Sequence, residues 1–229
     1  MSGTLYGLGV GPGDPELMTV KAWRLIAGAE VIAYLCANGS ESTALEIARP
    51  FLPDTFTPIA INMPMKVERD AAQTAYDNGA KRISAALETG CDVIFICEGD
   101  PFFYGSFMYI FERLATKYKT IVVPGVTSIT AAAAEMGQPL AERDEVLKIL
   151  PATMDEEHLK AELTTANAAA IIKVGRHFAK VKRVLAELQL QDHTTAIESA
   201  TRPNQIIRPL RKIETDTLPY FTTIIVRRK

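Results

Sequence analysis

The chain has 229 residues, 48% of them hydrophobic and 23% charged, a composition that excludes disorder and leaves room for a substantial core. That length lies between one large domain and two small ones. A formal net charge of -2 with a pI near 6.0 excludes a global field drawing the protein to nucleic acid or an anionic membrane.

Short apolar runs alternate with segments of helical period, the βαβα grammar of an α/β fold. Thr4 to Val10 reads as a strand, Val20 to Ala27 as a helix, Val31 to Leu35 as a second strand and Thr43 to Ala48 as a short helix. Pro58 to Ile61 is a brief extended piece that its prolines confine to an edge or loop. Glu68 to Leu87 is the clearest helix, since Ala72, Ala75, Tyr76, Gly79, Ile83, Ala86 and Leu87 recur along one face, and Gly90 closes it. Asp92 to Cys97 is a continuous apolar strand, buried on both faces, followed by a helix from about Ser106 to Tyr118. A strand at Thr120 to Val123 and an alanine-rich helix at Ser128 to Met136 complete a first domain, residues 1–138.

The stretch 139–144 has turn residues and charge but no period, which makes it the linker. The second domain, 145–229, has strand candidates at Val146 to Leu150, Ala168 to Val174, Thr194 to Glu198, Gln205 to Arg208 and Tyr220 to Arg227. Only two helices, Glu156 to Thr165 and Phe178 to Leu188, separate them, so the expected architecture is two α/β domains, the first mostly parallel and the second with a mixed sheet.

Cys36, Cys91 and Cys97 are an odd, unclustered set that suits a reducing cytoplasm, and the scattered His158, His177 and His193 give no expectation of a bound metal. The N-terminus carries no basic region before its first apolar stretch, so no signal peptide is expected, and no apolar run reaches the ~18 residues of a membrane span.

Gly7 to Pro15, Gly-Leu-Gly-Val-Gly-Pro-Gly-Asp-Pro, sets a glycine-rich turn after the first strand, where a ligand can approach the backbone. A dinucleotide fingerprint fails in every register, its third glycine falling on Pro12, Asp14 or Glu16, and no Gly-Lys-Ser/Thr of a phosphate loop is present. A structural loop and a ligand loop both remain open for this segment. Glu98-Gly99-Asp100-Pro101-Phe102-Phe103-Tyr104-Gly105 follows the fourth strand, where open α/β sheets bind ligands. A carboxylate there can receive ribose hydroxyls or oppose a sulfonium, while a turn with a capping acid is the alternative. Phe103 and Tyr104 suit either the core or an adenine platform. Pro124-Gly125-Val126-Thr127-Ser128 repeats the layout one strand later, with hydroxyls that equally suit a helix N-cap, and two such loops on adjacent strands point to a shared pocket.

Arg176, His177, Lys180, Lys182, Arg183, Arg202, Arg208, Arg211 and Lys212 make the second half locally basic, as a solvated face or as donors to a polycarboxylate. Tyr6, Tyr34, Trp23 and the methionines read as core.

Taken together, Gly9 to Ala22, Glu98 to Pro101, Pro124 to Ser128 and Thr222 to Val226 resemble the tetrapyrrole, or class III, methyltransferases over essentially the whole chain. The resemblance implies two α/β domains, a homodimer, and S-adenosylmethionine in the cleft between the domains. Within the family, the stretches Ile61 to Met65, Ala75 to Ala80 and Tyr104 to Leu114 are most similar to enzymes that methylate precorrin-2 at C-20. By that likeness the cofactor contacts are Pro12, Glu98, Gly99, Asp100, Phe103, Thr127, Ser128, Val174, Ala200 and Thr222, many through backbone atoms. Gly11, Gly13, Tyr34 and Tyr104 are implied to meet the tetrapyrrole, with Tyr104 also the candidate for orienting substrate or proton transfer.

Two departures stand out: Tyr34-Leu35-Cys36-Ala37 lacks the acid that related uroporphyrinogen enzymes carry after this strand, and Arg227 replaces a frequent glycine. Cobalt-factor II as substrate, a diphthine synthase, a ribosomal RNA ribose methyltransferase, a non-catalytic tetrapyrrole carrier and a nicotinamide oxidoreductase are the competing functions. The acidity of the chain gives no RNA footprint, and the failed fingerprint weakens the oxidoreductase.

Overall fold

A computed structural model describes residues 2–37, 40–64 and 69–228. The expected helix start at Glu68 and the motif residue Met65 lie outside them. The chain divides into two compact units, Met1–Thr127 and Ser128–Lys229.

The first unit holds β1 (Leu5–Gly9), α1 (Val20–Ala27), β2 (Val31–Ala37), α2 (Thr43–Ala48), β3 (Thr57–Met63), α3 (Arg69–Glu88), β4 (Val93–Cys97), α4 (Phe107–Leu114) and β5 (Thr120–Val123). Its sheet runs β3-β2-β4-β1-β5 with every pair parallel. β4 is central and buried along its whole length, as its unbroken apolar sequence requires. On one face Phe95 and Leu5 pack with Tyr76, Ile83 and Leu87 of α3 and Phe107 and Ile110 of α4. On the other, Ile94, Ile96 and Leu8 pack with Ala22 and Ile26 of α1 and Ala44 and Ile47 of α2. Gly7 is required beneath Phe107, since a Cβ there would lie 2.2 Å from that ring. β3 is longer than expected but takes the edge, where the missing N–H of Pro58 breaks no interior ladder. α4 is shorter than expected, its last turn relaxing into bonds from Lys117 and Tyr118 N–H to Leu114 O.

The second unit holds α5 (Ser128–Glu135), β6 (Leu147–Pro151), α6 (Glu156–Thr164), β7 (Ala168–Ile172), α7 (Phe178–Glu187), β8 (Thr194–Glu198), β9 (Ile206–Pro209) and β10 (Thr222–Arg227). Its sheet runs β6-β7-β10-β8-β9, with β6 and β7 parallel and the other pairs antiparallel, the mixed sheet expected from the scarcity of helices. Leu159, Leu163, Phe178, Val181 and Leu185 of α6 and α7 cover Ala169, Ile171, Ile224 and Val226. α5 packs against β10.

The segment 139–145 is tied to β10 by Arg227, whose side chain is only 4% exposed. Its Nη1 donates to Pro139 O at 2.5 Å, and its Nη2 lies 3.0 Å from the Glu145 carboxylate, itself 5% exposed. The residue that departs from the family pattern therefore holds this connection in place.

Candidate functional site

Three loops leave the carboxyl ends of β1, β4 and β5, and glycine backbone joins them. Gly99 N–H donates to Gly11 O at 2.8 Å, and Gly11 N–H returns a bond to Gly99 O at 3.4 Å. Both glycines take positive φ, +84° at Gly11 and +64° at Gly99, which explains why neither position carries a side chain. A Cβ at Gly9 would lie 2.3 Å from Gly99 O, and one at Gly125 would lie 2.1 Å from the same oxygen. The sequence expectation had the second and third loops on adjacent strands. Instead β1 lies between β4 and β5, and the loops meet beside Gly9.

Asp100 locks the junction. Its Oδ2 accepts Gly125 N–H at 3.0 Å, and its Oδ1 accepts Phe102 N–H at 2.9 Å. Each oxygen keeps further lone pairs, so the carboxylate holds the loops and retains acceptor capacity. Glu98, Gly99 and Asp100 are all half-buried, as are Pro12 and Gly13 on the first loop and Thr127 at the end of the third. Ser128, also half-buried, opens α5.

Tyr104 is 43% exposed and sits at φ +55°, a backbone outlier for a bulky side chain. Such strain is retained where the surroundings over-determine it, and functional loops are where it gathers. Phe103 is half-buried, its ring edge-on to Tyr104 at 5.3 Å between centroids. The loop is tight enough that a Cβ on Gly105 would lie 2.5 Å from both Asp100 O and Pro101 O. Tyr104 therefore belongs to the surface of this loop and not to the core.

Tyr34 packs partly against the α1–α2 core face, and burial followed by the neighbouring Cys36 pushes its phenol pKa up. Cys36 Sγ donates to Asn62 Oδ1 at 3.0 Å, and burial raises that thiol as well. Cys97 is fully enclosed, and burial together with Glu98 and Asp100 drives its thiol well above the ordinary range. None of these thiols is primed as a nucleophile. Trp23, expected in the core, is 42% exposed, with its ring edge meeting Phe51.

In the second unit, β10 runs antiparallel to β7 and β8, so its first residue lies at their carboxyl ends. That topology gathers the far-separated Val174, Ala200 and Thr222 at one sheet edge, all three buried. Thr222 pairs in register with Glu198, and its hydroxyl donates to Pro219 O at 2.8 Å. Lys173, Ser199 and Thr201 take positive φ at this edge, a concentration of strain that residue types do not announce.

The basic residues of this half are largely engaged. Arg183 pairs with Glu156, Arg211 with Asp192 and Arg208 with Glu198, while Lys180 donates to Met154 O. His177 is held below its usual pKa by burial and then by Lys180 and Arg176. Among the described residues no cluster of His, Cys, Asp and Glu is suited to a metal ion, and no helix is long and apolar enough to cross a membrane.

A family model for tetrapyrrole (corrin/porphyrin) methylases matches residues 4–214. The cobalamin biosynthesis protein CobIJ of Mycobacterium tuberculosis is 36% identical over 96% of the chain, and the chain spans 45% of the length of that relative. The precorrin-2 C(20)-methyltransferase of a Sinorhizobium species is 35% identical over 98% of this chain and 95% of its own. Among solved structures, uroporphyrin-III C-methyltransferase from Thermus thermophilus complexed with S-adenosylhomocysteine superposes with a TM-score of 0.71. It is 20% identical, and the match covers 98% of this chain and 92% of that one.

Proposed function

Since the chain belongs to the tetrapyrrole (corrin/porphyrin) methylase family, we propose that it transfers the methyl group of S-adenosylmethionine to C-20 of precorrin-2, giving precorrin-3A in cobalamin biosynthesis. The observation that carries this reading is the near end-to-end match to a relative bearing that name, 98% of one chain against 95% of the other. A cytoplasmic homodimer is the accompanying proposal, supported by the exposed Ile206, Ile207, Tyr220 and Phe221, which leave apolar surface to cover.

The three-loop junction suits such a cofactor. Its glycines admit close backbone approach, its half-buried Glu98 and Asp100 offer acceptors for ribose hydroxyls, and Phe103 offers a ring face for adenine. On this reading Pro12, Glu98, Gly99, Asp100, Phe103, Thr127, Ser128, Val174, Ala200 and Thr222 contact the cofactor, and Gly11, Gly13, Tyr34 and Tyr104 the tetrapyrrole. When bound, S-adenosylmethionine supplies an electrophilic methyl group on its sulfonium, and the reduced tetrapyrrole presents an enamine-like carbon at C-20. The chain's task is alignment, which can remove about 7–11 kcal/mol of the barrier without covalent catalysis. The phenol of Tyr104, on a rigid and strained loop, orients the substrate or relays the proton lost from C-20.

The test is incubation of the protein with labelled S-adenosylmethionine and precorrin-2, with and without inserted cobalt, followed by mass analysis. One methyl added to the metal-free substrate is the expected result. Methylation of the cobalt form alone would move the substrate to cobalt-factor II, and binding without a methylated product would leave a carrier. Tyr104→Phe is expected to lower turnover with S-adenosylmethionine affinity retained, and unchanged turnover would remove Tyr104 from the chemistry.

A further inference from the structure

The first unit has a hollow at the amino ends of β1 and β4, the end of the sheet opposite the three loops. Its volume is about 450 Å³, and Tyr6, Leu25, Gly28, Glu30, Cys91 and Asp92 are among the residues that line it. That volume is within the range of small-molecule pockets, and the junction's chemistry makes no use of it.

Local structure explains why the space stays open. α1 ends at Ala27 and the chain turns through Gly28, where an added Cβ would meet only Arg24 O at 3.8 Å. α3 ends at Glu88, and Gly90 turns the chain toward β4 at φ +93°. Each turn that borders the hollow thus has a glycine where a side chain would project. Tyr6 and Leu25 are half-buried against the α1–α2 core and supply an apolar wall.

The charge of the lining is one-sided. Glu30 and Asp92 contribute to it, and no lysine, arginine or histidine is among the described residues that line it. Arg24, in the last turn of α1, is outside the lining. Asp92 Oδ1 accepts Thr4 N–H at 2.6 Å, which leaves the lone pairs of its second oxygen for another donor. The carbonyl ends of two helix dipoles, α1 and α3, add to the negative potential, and α3 has no basic residue in its last turn to offset it. A second hollow of about 300 Å³, beside Thr55 and Phe56, shares Glu30 with the first.

We propose that this hollow binds a small organic cation, an ammonium group on a compact apolar body. Glu30 and Asp92 meet the charge, and Tyr6 and Leu25 meet the body. The site goes beyond the methyltransferase reading and does not rest on it.

Cys91 lines the same hollow, its Sγ 3.4 Å from the Thr89 hydroxyl, and serves as the reporter of occupancy. The full-length protein is alkylated with iodoacetamide at neutral pH, and peptide mass analysis follows Cys91 and, as the control, Cys36 near the far end of β2. The probes are benzylamine, which is an ammonium at this pH, benzyl alcohol and benzoate. Benzylamine is expected to slow alkylation of Cys91 saturably, in the millimolar range proper to so small a ligand, and to leave Cys36 unchanged. Benzyl alcohol and benzoate should need about fivefold higher concentrations or more. In the double variant Glu30→Gln with Asp92→Asn that preference should shrink to within about twofold, and Gly28→Leu, which fills the hollow, should abolish protection. If Gly28→Leu fails to fold, the carboxylate variant, altered at two exposed positions, decides. Absence of saturable protection by benzylamine overturns the proposal, as do equal protection by benzoate, equal slowing at Cys36, an unchanged preference in the carboxylate variant, or a Cys91 inert to iodoacetamide without any probe. S-adenosylhomocysteine binding and turnover are no part of the readout, so the failure of this site and the failure of the methyltransferase reading are separate results.

Discussion

Replacing Gly125 with alanine puts a methyl carbon 2.1 Å from Gly99 O, 2.9 Å from Gly9 Cα and 3.0 Å from Gly9 C. All three obstacles are backbone, so no side chain can swing aside. The loops after β1 and β4 must separate from the loop after β5, and the Gly125 N–H bond to Asp100 at 3.0 Å lengthens with them. Forced overpacking of this kind costs about 1–3 kcal/mol and occasionally more. In a unit of this size that lowers the melting temperature by several degrees.

Two other glycines separate this contact effect from backbone strain. Gly28→Ala meets nothing closer than Arg24 O at 3.8 Å and has negative φ, so it is expected to be nearly neutral. Gly137→Ala finds open space but holds φ +60°, and should lose only the roughly 1 kcal/mol of a left-handed residue. Circular-dichroism melts rank the three, and calorimetry with S-adenosylhomocysteine reads the site. Gly125→Ala should bind at least about tenfold more weakly, the equivalent of 1.4 kcal/mol. A Gly125→Ala protein that melts and binds like Gly28→Ala would refute the three-loop junction as the basis of the site.

Three further outcomes are expected. Arg227→Met removes the cationic partner of the Glu145 carboxylate, which keeps the Glu142 N–H at 2.9 Å, and the donor to Pro139, and urea unfolding should show a loss of about 3 kcal/mol; a loss under about 1 kcal/mol would contradict the tie. Asp155 accepts His158 N–H at 2.8 Å at the start of α6, and that bond holds its carboxyl below the ordinary 3.8. Because the folded value is the lower one, the contribution is complete above 3.8 and fades as pH falls through the folded value, so Asp155→Asn should flatten the acid limb of the stability profile; superimposable limbs would count against it. Cys97, enclosed and with a raised thiol pKa, should resist iodoacetamide in the native protein and react in urea, whereas native-state labelling at Cys97 would show that the junction opens.

Much of the three-loop junction was legible because its chemistry is local. Glycine at 9, 11, 99 and 125 reports close backbone approach wherever the chain goes, and an aspartate between Gly99 and Pro101 reports a turn with acceptors to spend. The partners of those groups were not legible. That Asp100 bonds to Gly125 and that Trp23 lies at the surface with its ring against Phe51 depend on segments distant in sequence. Arg202 and Lys182 looked like two of nine basic residues, and the rings they lie over, Phe221 and Phe178, come from the fold.

The amino-acid sequence alone determined where the helices and strands lie, because apolar period and capping act within a few residues: α1, α2, β5 and β8 fall on the expected boundaries. It also determined that one half is parallel and the other mixed, since helices between strands dictate crossovers and their absence permits hairpins. Tertiary structure decided the strand order, and with it the placing of β1 between β4 and β5, so that Gly9 became the point where the three loops meet. It likewise decided that Val174, Ala200 and Thr222 share an edge, because antiparallel pairing brings the start of β10 to the ends of β7 and β8. Those outcomes follow from which sheet faces the helices bury, a non-local free energy that no single segment carries.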